Sequence, residues 1–201
     1  ECWRGAARGK KAVVLLTLGT GVGGGVIVGG KIVHGRSGMA GELGHVAVEP
    51  AGMRCDCGST GCLEAYASAS GLRGLMERWF GLACGERVPE KYLDAGGEFS
   101  VRRMTAEARM GDAVALEIFD VSGRYLGIAI ASFLNIFNPE MVVIGGGVAA
   151  ALQFMRGAMM REIKARAFAA AVGQTRMVRA ALGPQGGVVG AAFAAMHADG
   201  P

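Results

Sequence analysis

Three cysteines fall within eight residues in the stretch RCDCGSTGC: Cys55, Cys57 and Cys62. They stand too close together to staple distant parts of a fold. Three thiolates need a fourth ligand to complete a tetrahedral zinc site. The histidines on offer are His34, His45 and His197. His45 opens the segment HVAV, and a short β excursion returns the chain to the cysteines, giving the spacing H-x9-C-x-C-x4-C. Gly52, Gly58 and Gly61 allow sharp turns around a metal. The competing reading is three reduced surface cysteines, which the liability of exposed thiols makes uncommon. Four protein ligands leave no open position, so the expected zinc is structural and holds a loop with little apolar core. The chain has five cysteines, an odd count that argues against an extracellular disulfide framework. Cys2 and Cys84 read as free thiols.

Acidic residues flank this loop. GELGH places Glu42 three residues before His45, and Glu64 follows Cys62 by two. Two carboxylates and an imidazole fixed at one spot supply strong acceptors and a donor, which is what an array of polyol hydroxyls needs. Taken singly, Glu64 also reads as a first-turn helix acid favoured by the helix dipole, and Glu42 as a solvated loop acid.

Two glycine clusters offer a different chemistry. LGTGVGGG matches G-x-G-x-x-G at Gly19, Gly21 and Gly24. A dinucleotide fingerprint must open a helix, whereas here VIV-GG-KIV follows, a strand pair. Glu42 stands near the distance of that fingerprint's acidic residue, a coincidence on this reading. No Gly-Lys-Ser/Thr follows, so it is not a Walker loop either. Converging backbone N–H groups and the Thr20 hydroxyl can still cradle phosphate; the alternative is a tight hairpin. The second cluster, Gly145, Gly146 and Gly147, ends a buried-strand run, and ligands of open α/β sheets sit beyond the carboxyl ends of strands. The pair together fits a nucleotide.

The elements that must position these groups follow from pattern. AVVLLTLG (12–19) is a buried strand, GVIV (25–28) another, Gly29-Gly30 a hairpin turn, KIVHG the returning strand, and HVAV (45–48) a fourth extended segment. CLEAYASASGLRGLMERWF suits one or two helices with Leu72, Leu75, Met76 and Trp79 on one face. Residues 81–99 read as irregular. Ser100 caps a helix to 110, and Asp112 caps a long one through Phe137, stopped by Asn138-Pro139. Then come a strand (141–147), a helix (149–169), a strand (175–182) and a helix (186–197). The opening ECWRGAARGKK reads as a helix tail running into a basic loop, and a first residue other than Met reads as a piece of a longer chain.

The order β-β-β then α-β-α-β-α implies a mixed sheet with helices on its faces, an actin-like ATPase, ribonuclease H-like lobe. The 201 residues are ample for a packed core. Although 51% are hydrophobic, no apolar run approaches the roughly 18 residues of a membrane span, and no secretory opening is present. A soluble, cytoplasmic protein is expected. The net charge of +4 and scattered arginines form no nucleic-acid stripe.

LTLGTGVGGG, AGELGH and CDCGSTGCLEAYAS, in this order, resemble the ROK (repressor, open reading frame, kinase) family, and the resemblance runs on through NPEMVVIGGGV to GPQGGVVGAAFAA. It implies a bilobal sugar kinase, a homodimer, that uses Mg2+ with ATP to phosphorylate a hexose, most often glucose at O6. On that resemblance Thr20 and Gly21 face the ATP phosphates and Gly145 to Gly147 the adenosine side. Glu42, His45 and Glu64 hold the sugar, with His45 bound to zinc through its other ring nitrogen alongside Cys55, Cys57 and Cys62. The family's first Asp-x-Gly-Gly phosphate motif is missing from this sequence. So is its Asn-Asp pair, whose aspartate is the base toward the sugar hydroxyl. Residues 1–201 are therefore expected to be the carboxyl-terminal lobe, with the zinc loop 45–62 inserted and the amino-terminal lobe absent. The base then lies upstream of Glu1 and this chain alone is inactive. Relatives that sense sugars as helix-turn-helix repressors, kinases of N-acetylmannosamine or fructose, and a zinc-stabilised assembly lobe without chemistry are the alternatives.

Overall fold

The computed structural model describes residues 1–196. Five strands form one sheet in the order β3-β2-β1-β4-β5: β1 (Val13–Leu18), β2 (Val22–Val28), β3 (Lys31–Ile32), β4 (Met141–Gly145) and β5 (Arg176–Arg179). The first three are antiparallel neighbours, while β1–β4 and β4–β5 run parallel. β4 is buried at every position, as expected of a parallel strand covered on both faces, and its unbroken MVVI run is the sequence form of that burial. The helices are α1 (Glu64–Ala67), α2 (Ala69–Trp79), α3 (Val101–Arg109), α4 (Ala113–Phe137), α5 (Leu152–Arg166), α6 (Ala169–Gln174) and α7 (Gly186–Met196). Helices α4 and α5 pack on each other and cover the sheet face carrying Val14, Leu16, Leu18, Val142 and Ile144, which is the main core. Val13, Met141 and Val143 point the other way and meet Ala7 in a smaller cluster.

Helix α4 begins and ends as its caps dictate. The Asp112 carboxylate accepts from the Ala115 N–H at 2.9 Å, and Asn138, at φ 41°, stops the helix with its own N–H on the Leu134 carbonyl. Asp112 also accepts from the Tyr92 hydroxyl at 2.5 Å and from Lys91, tying the 90–92 turn to the helix start. Burial alone would raise this carboxyl, but the Lys91, Tyr92 and Ala115 donors outweigh it and hold it down at about 2. A depressed carboxyl stabilises the fold above its unfolded value of about 4, and that stabilisation is lost as pH falls toward 2. D112A should therefore cost about 1–2 kcal/mol at neutral pH, lowering Tm by about 2–8 °C. Thermal melts should show the gap to wild type narrowing below pH 4; a gap constant down to pH 2.5 would refute this account of the cap.

The glycines 23–25 lie inside β2, which starts at Val22, and only 19–21 turn the chain. Gly24 is glycine because the 41–43 turn lies on the strand: a Cβ there would stand 2.5 Å from the Gly41 carbonyl oxygen and 2.6 Å from Leu43 Cγ. HVAV is no sheet strand. Leu43–His45 is a 3-10 turn, and the segment after it makes a single antiparallel bridge, Ala47 to Cys62. Its backbone bonds go to the far arm of the cysteine loop instead of the sheet, with the Val48 N–H on the Gly61 carbonyl and the Leu63 N–H on that of Val46.

The helix expected over 149–169 is three pieces. Val148–Ala151 is a 3-10 turn, α5 stops at Arg166, and α6 follows. The break has a cause in α4: the Asn135 side chain donates to the Arg166 carbonyl and accepts from the Phe168 N–H, two bonds that compete with helix continuation. Leu72 and Met76 of α2 are buried, whereas Trp79, at the helix end, is 53% exposed. Strands β4 and β5 are shorter than the runs 141–147 and 175–182. Residues 1–9 form successive turns instead of a helix tail. The last expected helical residue, His197, lies outside the described residues. Among the described residues, no helix is long and apolar enough to cross a membrane.

Candidate functional site

The cysteine loop closes on itself before any metal is considered. Cys55 donates its N–H to the Ser59 carbonyl and accepts from the Gly58 N–H, both at 2.9 Å, and Gly61 N–H reaches the Met53 carbonyl at 2.7 Å. Its base is pinned from outside: the Met53 N–H donates to the Tyr66 hydroxyl at 2.7 Å, and the buried Tyr66 ring stacks on Tyr125 at 3.9 Å between centroids.

This frame brings one ligand atom each from His45, Cys55, Cys57 and Cys62 within 4.8 Å of one another. The Cys57 and Cys62 sulfurs are 3.7 Å apart, and the Cys55 sulfur is 3.7 Å from His45 Nδ1. A tetrahedron of metal–sulfur bonds of about 2.3 Å has edges of about 3.8 Å, so the donors already stand at the spacing zinc requires. Burial pushes the Cys55 thiol up to about 12 and raises Cys62 as well, while the Ser59 backbone N–H and the neighbouring thiols lower Cys57. Such a crowded set forms thiolates together only beside a cation. The four residues can hold a zinc ion. His34, exposed, stands outside the cluster.

The ring of His45 has two ends. With Nδ1 facing sulfur, Nε2 points outward and lies 3.9 Å from Glu42 Oε2, a carboxylate that is 65% exposed. Glu64 is the first-turn acid of α1, and its carboxylate has further partners that neither sequence reading foresaw. It opens α1, yet its side chain reaches β2: Oε2 accepts from the Val22 N–H at 2.8 Å, and Oε1 lies 3.8 Å from the Cys55 sulfur. Gly21 lies under it, since a Cβ there would stand within van der Waals overlap of the Glu64 carboxylate. Glu64 thus touches both the cysteine loop and the glycine turn.

The two glycine clusters are neighbours. Thr17 pairs with Gly145 in the parallel β1–β4 register, so the Gly19–Gly21 turn and Gly146–Gly147 lie past the carboxyl ends of adjacent strands, while Gly145 closes β4 and Gly24 lies inside β2. Gly146, at φ 89°, packs directly on the Leu18 carbonyl, where a Cβ would have no room. Thr20 is exposed at the tip of the first turn. Sequence reasoning missed Ser68 and Ser70, which link this turn to the loop: Ser70 Oγ donates to the Thr20 carbonyl at 2.8 Å, and the Ala69 N–H to that of Gly19 at 2.8 Å. A serine before a helical run signals an N-cap, which Ser68 is for α2, but nothing in the pattern foretells the partner turn. A groove of about 540 Å3 opens beside this junction, with Glu64, Ser70, Arg73 and Glu77 on its walls.

A mixed sheet of this order, with glycine turns past the central strands and a Cys/His knuckle, is the lobe of an actin-like ATPase, ribonuclease H-like fold. The chain belongs to the ROK family, whose model matches residues 1–198. It is 40% identical over 191 residues to a glucokinase of Halalkalibacterium halodurans, covering 94% of this chain and 58% of that protein. It is 36% identical over 148 residues to the DNA-binding transcriptional dual regulator NagC of Escherichia coli, covering 74% of this chain and 35% of the regulator. Among solved structures, a ROK family glucokinase from Streptomyces griseus in complex with glucose and AMPPNP superimposes with a TM-score of 0.75 at 34% identity, covering 94% of this chain and 61% of that one. The chain spans about three fifths of the length of the glucokinases of Halalkalibacterium halodurans and Thermotoga maritima.

Proposed function

We propose that this chain is the carboxyl-terminal lobe of a two-lobed, ATP-dependent hexose kinase acting on glucose at O6. One arrangement carries the reading. His45 turns one ring nitrogen to the thiol cluster and the other toward Glu42, at the corner where Glu64 meets the Gly19–Val22 turn. In this reading Glu42, His45 Nε2 and Glu64 meet the sugar hydroxyls as acceptors and donor. Thr20 and the N–H groups about Gly21 bind the ATP phosphates with their Mg2+, and Gly145 to Gly147 lie on the adenosine side. Zinc, bound by His45, Cys55, Cys57 and Cys62, supplies no chemistry beyond fixing the loop. Phosphoryl transfer needs positioning, charge stabilisation and an acceptor for the hydroxyl proton. That acceptor is an aspartate of the amino-terminal lobe, ahead of Glu1 in the longer protein.

The test is an ADP-release assay with glucose, mannose, fructose and N-acetylmannosamine, run on this chain and on the full-length protein. The full-length protein should turn over glucose best and the 201-residue chain not measurably. In the full-length protein E42Q should raise the glucose KM more than tenfold, since hydrogen bonds to charged groups are worth about 1.5–3 kcal/mol, and leave the ATP KM nearly unchanged. Turnover by the isolated chain near the full-length rate would place the base within residues 1–201.

The similarity to the Escherichia coli regulator supports a second reading, in which the same sugar site serves a sugar-sensing repressor. Full-length protein that binds glucose and DNA but releases no ADP would select it.

A further inference from the structure

The knuckle and the glycine turn lie far apart in sequence, yet their connection is continuous. Cys62 is two residues before Glu64, and its backbone is bridged to Ala47. From α1 the Glu64 carboxylate takes the Val22 N–H at one oxygen and abuts the Cys55 sulfur with the other. Four residues on, the fully buried Ser68 donates its hydroxyl to the Glu64 carbonyl at 2.7 Å and accepts from the Gly71 N–H at 2.9 Å, starting α2. The next two residues hold the turn directly, Ala69 N–H on the Gly19 carbonyl and Ser70 Oγ on that of Thr20. Within the turn itself the Gly19 N–H meets the Gly21 carbonyl at 2.8 Å.

Ser70 has a choice built into it. Its oxygen is 2.9 Å from Ser68 Oγ as well as 2.8 Å from the Thr20 carbonyl. Each hydroxyl carries one proton, and that of Ser68 is spent on Glu64. Ser70 can therefore bind the turn or Ser68, but not both at full strength.

We infer that Ser70 is a positioning residue and that the Glu64 carboxylate, beside the sugar contact proposed for it, clamps with it the Gly19–Val22 turn to the metal knuckle, so that an ion held by His45, Cys55, Cys57 and Cys62 sets the order of the turn. A bound metal would fix Cys55, whose sulfur lies 3.8 Å from Glu64 Oε1, and Cys62, two residues before Glu64 in the chain. Without it, the loop that aims Glu64 is free to shift, and Val22 loses its acceptor. The consequence for catalysis rests on the reading above, in which that turn meets the ATP phosphates: the metal that holds the sugar-facing histidine would also order the nucleotide end.

Amide hydrogen exchange on the zinc-loaded 201-residue chain tests the clamp without any activity readout. E64A should speed exchange at Val22 by about tenfold or more, the loss expected for a charge-assisted bond. S70A should speed Gly19 and Ala69 several-fold, and S70T, which restores the hydroxyl, should return them to the wild-type rate. Chelation should speed Gly19, Val22 and Ala69 together while Val143 and Ile144 of β4 keep their protection. Unchanged exchange at Val22 and Gly19 after chelation would overturn the clamp, as would β4 amides rising in step, since the response would then be global unfolding. A separate arm reads the nucleotide: in the full-length protein S70A should raise the ATP KM at least fivefold with the glucose KM unmoved, and S70T should restore it. If the exchange arm holds and the ATP KM does not move, the clamp stands and the phosphate-binding reading of Thr20 and Gly21 falls.

Discussion

Purified from metal-replete medium, the chain should carry one equivalent of zinc, and removing it should collapse the loop from Val46 to Cys62. The expected effect is large because the loop has almost nothing else to hold it. Val48, Cys55 and Cys62 are its buried apolar residues, and its tip, from Asp56 to Thr60, is exposed. Its internal bonds are a handful of backbone contacts that water could replace. Structural zinc contributes about 10–16 kcal/mol of apparent binding free energy in small peptides, more than most domains' entire stability. The apo state also faces the thiols with no counter-charge. Burial opposes ionisation of Cys55 and Cys62, so the sulfurs remain neutral groups at near-contact distance.

The collapse should be local at first. The core between α4, α5 and the sheet does not pass through the loop tip, whereas Tyr66 links to the loop's base through the Met53 N–H. Near-ultraviolet circular dichroism should report the Tyr66–Tyr125 stack loosening while far-ultraviolet signal changes little. Elemental analysis showing less than about a tenth of an equivalent would sink the site. Tyrosine signals indifferent to chelation would mean that the loop folds without a metal.

What the sequence made legible divides along a physical line. Features encoded within a few residues were readable: the caps of α4 at Asp112 and Asn138, the Ser100 cap of α3, the hydrophobic run of β4, and the knuckle, whose ligand types and spacing are themselves the signal. Features set by a distant partner were not. The glycines of β2 look like a loop because no local pattern shows the 41–43 turn that lies on them. Helix 149–169 looks continuous because Asn135, on another helix, interrupts it. HVAV has the alternation of a strand, but its partner is the other arm of its own loop. Glu64 belongs to this second group. Its spacing from Cys62 marked it as part of the site, yet the Val22 N–H that occupies one of its oxygens comes from 42 residues away.

His45 is where the two halves of the functional reading can be separated, because the proposed function gives its two nitrogens different tasks. In the full-length protein H45A should lose both the metal and the sugar contact, and so cannot tell them apart. H45C can. Four thiolates are as good a structural zinc set as three and a histidine, and His45 is the last, half-exposed residue of its 3-10 turn. The variant should therefore retain about one equivalent of zinc and a melting temperature close to wild type. What it lacks is Nε2, the end of the ring that faces Glu42. Glu42 then loses its neighbouring donor, and a sugar hydroxyl that used the imidazole is left unpaired. A site built to hydrogen-bond a hydroxyl loses about 10–100-fold or more when the partner goes, because a desolvated polar group stays unsatisfied. The glucose KM should rise by that factor, with the ATP KM moving far less. A zinc-loaded, stable H45C with an unaltered glucose KM would show that the histidine is a metal ligand only, and would take the sugar site away from this corner of the lobe.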